Sequence, residues 1–240
     1  MTRVAIIAAM PGELKPLVRG WEHESRNGVD LWRWRFDQGE WVAACAGAGQ
    51  QAATRALAEI ESDGPVTSAI SLGWVGALTD KAEPGKTYKV SAVIDSLTGE
   101  RFQTTQWSSE RLLVTSPRVA DFEEKKRLAT AYGASLVDME AAAIARLAAM
   151  RGIPFYCFKG VSDGFTENLP DFNRFMTADG QFRLGRLLFF VLPRPWYWPA
   201  LVRMGENSKQ ASQSMAECVL DFLDERGHIR KRNGYPNIKP

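Results

Sequence analysis

A chain of 240 residues, 45% hydrophobic and 24% charged, has the makeup of a globular protein with room for one sizeable core, which excludes wholesale disorder. Its 30 basic and 28 acidic residues leave a net charge of +2, too balanced for a protein that grips nucleic acid by charge. Cys45, Cys157 and Cys218 lack the short spacings of zinc or redox sites, and His23 and His228 are too few for a histidine-rich metal centre or a Ser-His-Asp triad, so a reducing, cytoplasmic setting is expected.

Residues 4–9 form a continuous apolar run stopped by Pro11 and Gly12, the pattern of a strand buried on both faces and not of a signal peptide. A loop presenting Glu13 follows. Residues 28–46 alternate through Leu31, Trp32, Arg33, Trp34, Arg35 and Phe36 before Gly39 and a second apolar run, which predicts a hairpin. Residues 50–60 have helical apolar spacing, and 66–72 read as the next strand, its end punctuated by Gly73 and Gly76. Strands are predicted at 89–95, after the turn signal Glu83-Pro84-Gly85, and at 112–115. Lysine-rich 121–132 reads as a helix with a solvated face, 139–150 as a helix stopped by Gly152 and Pro154, and 155–161 as another buried strand. Strands alternating with helices imply an α/β protein of three layers around a mainly parallel sheet.

In the last third, 182–192 lead into Pro193-Arg194-Pro195-Trp196-Tyr197-Trp198-Pro199, and 208–223 have the spacing of an amphipathic helix. Residues 1–225 are read as one domain and 226–240 as a basic tail that frays. No apolar run approaches the ~20 residues that span a bilayer. Trp196, Tyr197 and Trp198, flanked by Arg183, Arg186, Arg194 and Arg203, have two readings. They either cover the core or form an amphipathic surface suited to a membrane interface or to the mouth of a pocket for a greasy substrate.

Gly47-Ala48-Gly49-Gln50-Gln51-Ala52 matches a dinucleotide fingerprint, but the next strand ends in Ser71, Leu72 and Gly73 with no acid for a ribose hydroxyl, so a tight strand-to-helix turn is the better reading. More telling are carboxylates at the ends of apolar elements. Glu140 opens an alanine-rich helix, where a dipole-complementing role is ordinary, and Asp163 precedes Gly164 as a turn aspartate would. Strands of a parallel sheet put their carboxyl ends along one rim, however, so Asp163 and Glu13 are expected to share it and Glu140 to converge there.

These residues carry a resemblance. Ala8-Ala9-Met10 with Glu13, Cys45 through Gln50, Gly73 through Leu78, Val137-Asp138-Met139-Glu140-Ala141 and Val161-Ser162-Asp163 together resemble the purine nucleoside phosphorylase and nucleosidase superfamily, above all its methylthioadenosine/adenosylhomocysteine nucleosidase branch, over about residues 3–175. The resemblance implies a three-layer phosphorylase-like sandwich with a mixed, mainly parallel central sheet. It also implies cleavage of the N-glycosidic bond of a purine nucleoside, in which the base must receive a proton while the sugar becomes oxocarbenium-like. Asp163 then matches the general acid at the purine N7, with burial expected to raise its pKa. Glu13 matches the residue that positions and activates water. Glu140, assisted by the Met139 backbone, matches the ribose 2′-hydroxyl ligand, and Ser162 matches the residue that orients the acid. Purine contacts are expected between Thr115 and Val119, with Val119 and Trp74 counted as substrate contacts.

The departures from the family pattern are informative. Trp74 stands where a small serine hydroxyl is usual, Ser71 where phosphorylases carry an arginine, and Pro11-Gly12-Glu13-Leu14-Lys15 lacks their glycine-arginine pair. A dianion without an arginine fork is poorly held, so the family's phosphate site is expected to be absent. Lys15 or Arg19 as substitutes keep phosphorolysis open beside hydrolysis. The aromatic C-terminal region resembles the hopanoid-associated phosphorylase branch, which implies an adenine nucleoside with a bulky, apolar and even lipid-linked 5′ substituent such as adenosylhopane. It also implies a place at the periphery of the inner membrane. No metal or organic cofactor is implied. Family members assemble as homo-oligomers, with the Trp32/Trp34 hairpin and the 196–198 segment as contact candidates. The alternative of another class is a degenerate nucleoside-binding or membrane-surface protein whose Trp74 fills the sugar side of the pocket.

Overall fold

The computed structural model describes residues 2–105, 111–167, 169–177 and 180–225; the expected basic tail at 226–240 lies outside the described residues. The first apolar run forms β1 (Thr2–Ala8). Ala5 and Ile7 face one core while Val4, Ile6 and Ala8 face the other, so the strand's period of two is hidden by burial on both sides. Pro11 opens the one-turn helix α1 (Pro11–Leu14), which carries Glu13 where a loop is expected. The predicted hairpin is β3 (Val29–Phe36) and β4 (Gly39–Cys45). It is extended by β2 (Glu22–Arg26), whose polar sequence EHESR is exposed at an edge and gives no apolar signal.

After α2 (Gln50–Glu61) comes β5 (Ser68–Ala77), which does not stop at Gly73 as expected but runs through Gly73 and Gly76. The predicted strand at 89–95 is two strands, β6 (Thr87–Lys89) and β7 (Ala92–Asp95). β8 (Arg101–Gln103), β9 (Leu112–Thr115), α3 (Phe122–Tyr132), β10 (Leu136–Asp138), α4 (Ala141–Arg151) and β11 (Phe155–Asp163) complete the sheet region. Eleven strands among the described residues form one mixed sheet, in the order β2-β3-β4-β1-β5-β10-β9-β7-β8, with β11 between β5 and β6. The central pairs β4–β1, β1–β5 and β5–β11 are parallel, whereas β10 meets β5 antiparallel at Gly76 and Ala77.

The C-terminal part holds α5 (Leu184–Val191) and a 28-residue helix, α6 (Trp198–Glu225), preceded by a 3₁₀ turn at Pro195–Tyr197. α6 begins ten residues before the predicted start at 208, because Pro199 falls in its first turn, where a missing N–H breaks no helical bond. α2 and α4 cover one face of the sheet, and α1 and α6 the other. The result is the three-layer α/β sandwich expected. Among the described residues, no helix is long and apolar enough to cross a membrane.

Candidate active site

Three short structural devices bring Glu13, Glu140 and Asp163 to the neighbourhood of β5. Glu13 leaves the carboxyl end of β1 on α1 and points back into the protein, where it is 3% exposed. Its Oε2 accepts from the backbone N–H groups of Ala9 and Met10, both at 2.8 Å, and its Oε1 from that of Trp74 at 2.7 Å. Burial raises its pKa, and those three donors together with the charge of Lys159 pull against the rise. The two glycines within β5 make the room. A Cβ at Gly73 would lie 3.0 Å from Glu13 Oε1, and one at Gly76 would lie 3.1 Å from both Asp163 Oδ2 and Lys125 Cε. Glycines that read as a strand terminator are thus notches for two carboxylates.

Glu140 arrives by another route. It is the N-cap of α4, following antiparallel β10, and its Oε1 accepts from Gly49 N–H at 2.6 Å while Met139 N–H lies 3.2 Å from Oε2. The Gly47-Ala48-Gly49 turn is therefore the tight β4-to-α2 connection, with a backbone donor aimed at Glu140. Its positive-φ glycines admit close neighbours, since a Cβ at Gly47 would sit 2.7 Å from Gly180 O.

Beneath Glu140 lies an ion pair that sequence reasoning missed. Lys159, fully buried on β11, contacts Asp138 Oδ2 at 2.8 Å, and Asp138 also accepts from Thr115 Oγ1 at 2.7 Å and Ala141 N–H at 2.9 Å. Burial works to lower the Lys159 pKa, but the charges of Asp138, Cys157 and Glu140 outweigh it and the ammonium is held. Burial, then the charge of Asp138, pushes Glu140 up to about 8. The neutral form of Glu140 is thus favoured by folding, and its contribution to stability is complete below its ordinary value of 4.5 and lost as pH rises through 8. Melting temperatures taken across that range are expected to show Glu140→Gln overtaking the wild type toward the alkaline end, and parallel curves would contradict the shift.

Asp163 ends β11 just after a register shift between Val161 and Asp163, the kind of irregularity that re-aims a side chain. Ser162 Oγ lies 2.7 Å from its Oδ1 and 3.2 Å from Val75 O. Its Oδ2 is paired with Lys125, whose Nζ also donates to Gly164 O at 2.7 Å. Lys125 corrects the expected solvated face of 121–132, because it is buried on α3 while its neighbours Lys126 and Arg127 are exposed. Helical spacing alone could have flagged it, since Lys125 falls three residues before buried Leu128. Asp163 and Lys125 line a cleft of about 510 Å³ with Val119, Phe122, Glu167 and Phe172. Val119 is fixed there by Asn173, whose side-chain amide accepts from Val119 N–H and donates to Val119 O, each at 2.9 Å. Glu13 and Glu140 do not line this cleft, and both feel the charge of Lys159.

Trp74 does not project as a free pocket wall. Its Nε1–H is shared between Ser208 O at 3.0 Å and Ser212 Oγ at 2.9 Å on α6, and a Cβ at Gly12 would lie 2.9 Å from its ring. The indole bridges α1 to α6, and its backbone supplies a Glu13 donor. Among the described residues, no group of three or more His, Cys, Asp or Glu side chains is arranged to hold a metal ion.

The fold is that of N-ribosyl-cleaving nucleosidases and hydrolases. It matches the 5′-methylthioadenosine/S-adenosylhomocysteine nucleosidase of Helicobacter pylori in complex with butyl-thio-DADMe-Immucillin-A, with a TM-score of 0.71 at 15% identity over 94% of this chain and 99% of that one. Futalosine hydrolase of Helicobacter pylori gives 0.71 at 15% identity over 93% and 98%, and the apo 5′-methylthioadenosine nucleosidase of Arabidopsis thaliana 0.69 at 17% over 97% and 98%. Residues 96–184 match the family model described as Phosphorylase superfamily. No curated protein matches the sequence. The resemblance is thus met by a family pattern over residues 96–184, the stretch that holds Glu140 and Asp163, and by the fold of nearly all of the chain.

Proposed function

We propose that this chain hydrolyses the N-glycosidic bond of an adenine nucleoside bearing a bulky, apolar 5′ substituent of the adenosylhopane kind. The observation that carries the reading is that Glu13 and Asp163 are seated against Gly73 and Gly76 of β5, with Glu140 within charge range of Glu13 and with Asp163 alone among them lining a cleft roomy enough for a purine. In this reading the Lys125–Asp163 pair carries the proton, drawn from the Lys125 ammonium and passed by Asp163 to N7 as the bond breaks, while Ser162 holds the other carboxyl oxygen in place. Glu140 accepts from the ribose hydroxyl, and Glu13 orients water and takes its proton.

Two features support the finer choices. The indole of Trp74 packed on Gly12 fills the gap between the early loop and β5, and Lys15 and Arg19 are exposed, which favours water over phosphate as the acceptor. The segment that enters α5 rests on the turn beside Glu140, where Ala48 N–H donates to Gly180 O at 2.8 Å, so the chain leading into an apolar helix passes the sugar side. Adenine release is expected from a 5′-alkyl or hopanoid adenosine in preference to adenosine or methylthioadenosine, equally with and without phosphate. A ribosyl-1-phosphate product would replace hydrolysis by phosphorolysis. A folded protein that binds these nucleosides and cleaves none of them would make it a binding protein.

A further inference from the structure

Among the described residues, seven of the ten large exposed apolar side chains fall between 184 and 202. Phe189 is 85% exposed, Leu192 69% and Trp196 63%, and Leu184, Leu188, Trp198 and Val202 are close behind. Leu184 and Leu188 on α5 and Leu192 at its C-cap follow at intervals of four and so make one outward stripe beside Phe189, while Leu187 and Val191 fix the helix to a small core with Phe175. The stripe is therefore presented on an anchored helix. From Arg183 to Arg203 the chain has four arginines and no aspartate or glutamate; Arg203, at the far end, lies 3.9 Å from Glu167 and precedes exposed Glu206, which leaves Arg183, Arg186 and Arg194 as the cations beside the stripe. Arg183 and Arg186 are exposed on the same helix, and Arg194 lies 4.0 Å over the Phe190 ring, its charge kept beside apolar surface.

We infer that α5, the turn after it and the start of α6 form a docking face for an anionic lipid bilayer. Eight residues of helix are too short to span the hydrocarbon but suit a helix lying in the interface plane. Leucine and phenylalanine would enter the acyl boundary, tryptophan and tyrosine the headgroup layer, and the arginines the field of acidic headgroups. A bare apolar face could equally serve a second copy of the chain, but Arg183, Arg186 and Arg194, with no acidic residue among them, are not self-complementary across a two-fold contact, whereas they complement a negative surface.

The full-length protein should co-sediment with vesicles of mixed phosphatidylglycerol and phosphatidylcholine and bind pure phosphatidylcholine at least tenfold more weakly. Leu188→Ser/Phe189→Ser/Leu192→Ser should lower binding to the anionic vesicles at least tenfold, and Arg183→Gln/Arg186→Gln several-fold, with circular dichroism melts like that of the parent, since all five side chains are exposed. Three results would overturn the inference. The wild type could stay in the supernatant with anionic vesicles, or the triple variant could bind as well as the parent. Sedimentation velocity could instead reveal a dimer that the triple variant dissolves, which would assign the face to a second copy.

Discussion

Asp163→Asn is expected to lose roughly 10²- to 10⁴-fold in adenine release from the apolar nucleoside while melting close to the wild type. The amide keeps the shape and can turn its oxygen to Lys125 and its NH₂ to the Ser162 hydroxyl, so the packing beside Gly76 survives while the transferable proton does not. Asp163→Ala is the harsher change, because it strands Lys125, buried on α3, without a carboxylate. Lys125→Met tests whether the lysine acts through Asp163. If it only positions that carboxyl group, the double variant Asp163→Asn/Lys125→Met is no slower than Asp163→Asn alone. Full turnover in a folded Asp163→Asn protein would remove Asp163 from the chemistry.

The second large effect concerns the fold beneath the site. Lys159→Met should destabilise the protein by about 3–5 kcal/mol, the usual consequence of breaking a buried pair from one side. Asp138, which accepts from Lys159, Thr115 and Ala141, would be left buried with its charge uncompensated, and Glu13 and Glu140 would lose the cation that draws down their raised pKa values. For a chain of this size the loss corresponds to a melting temperature lower by roughly 6–20 °C. The deficit should shrink as pH falls, because carboxyl groups whose folded-state pKa values have been raised pay for ionisation only above their unfolded values. Asp138→Asn/Lys159→Met should recover part of it by removing both charges. Calorimetry at several pH values checks all three, and a single variant as stable as the parent would mean that Asp138 is compensated by its hydrogen bonds alone.

How much of this was legible in the sequence depended on whether a signal was local. β1, the β3–β4 hairpin, α2 and β11 announce themselves because apolar runs bounded by glycine and proline are local. β2 does not, since an exposed edge strand of polar residues has no core to face, and the real start of α6 was masked by prolines that a helix tolerates only in its first turn. The site divides in the same way. Glu13, Glu140 and Asp163 stand out as acids in apolar surroundings. Lys125 and Lys159 meet their partners across 38 and 21 positions of chain, respectively Asp163 and Asp138, so nothing near them in sequence names those partners.

β5 carries a consequence for how the site comes into being. Its two glycines admit Glu13 and Asp163 only while β1 and β11 lie alongside in their native register, Ile7 opposite Ser71 and Lys159 opposite Gly73. A slip of one residue would present Leu72 and Val75, or Trp74 and Ala77, to the same two carboxylates and turn every side chain of the strand to the other face. Both ends of the chemistry would vanish together. The site therefore has no half-built version: it is acquired in one step, at the moment the central strands lock, and it doubles as an internal gauge of whether the sheet has assembled correctly.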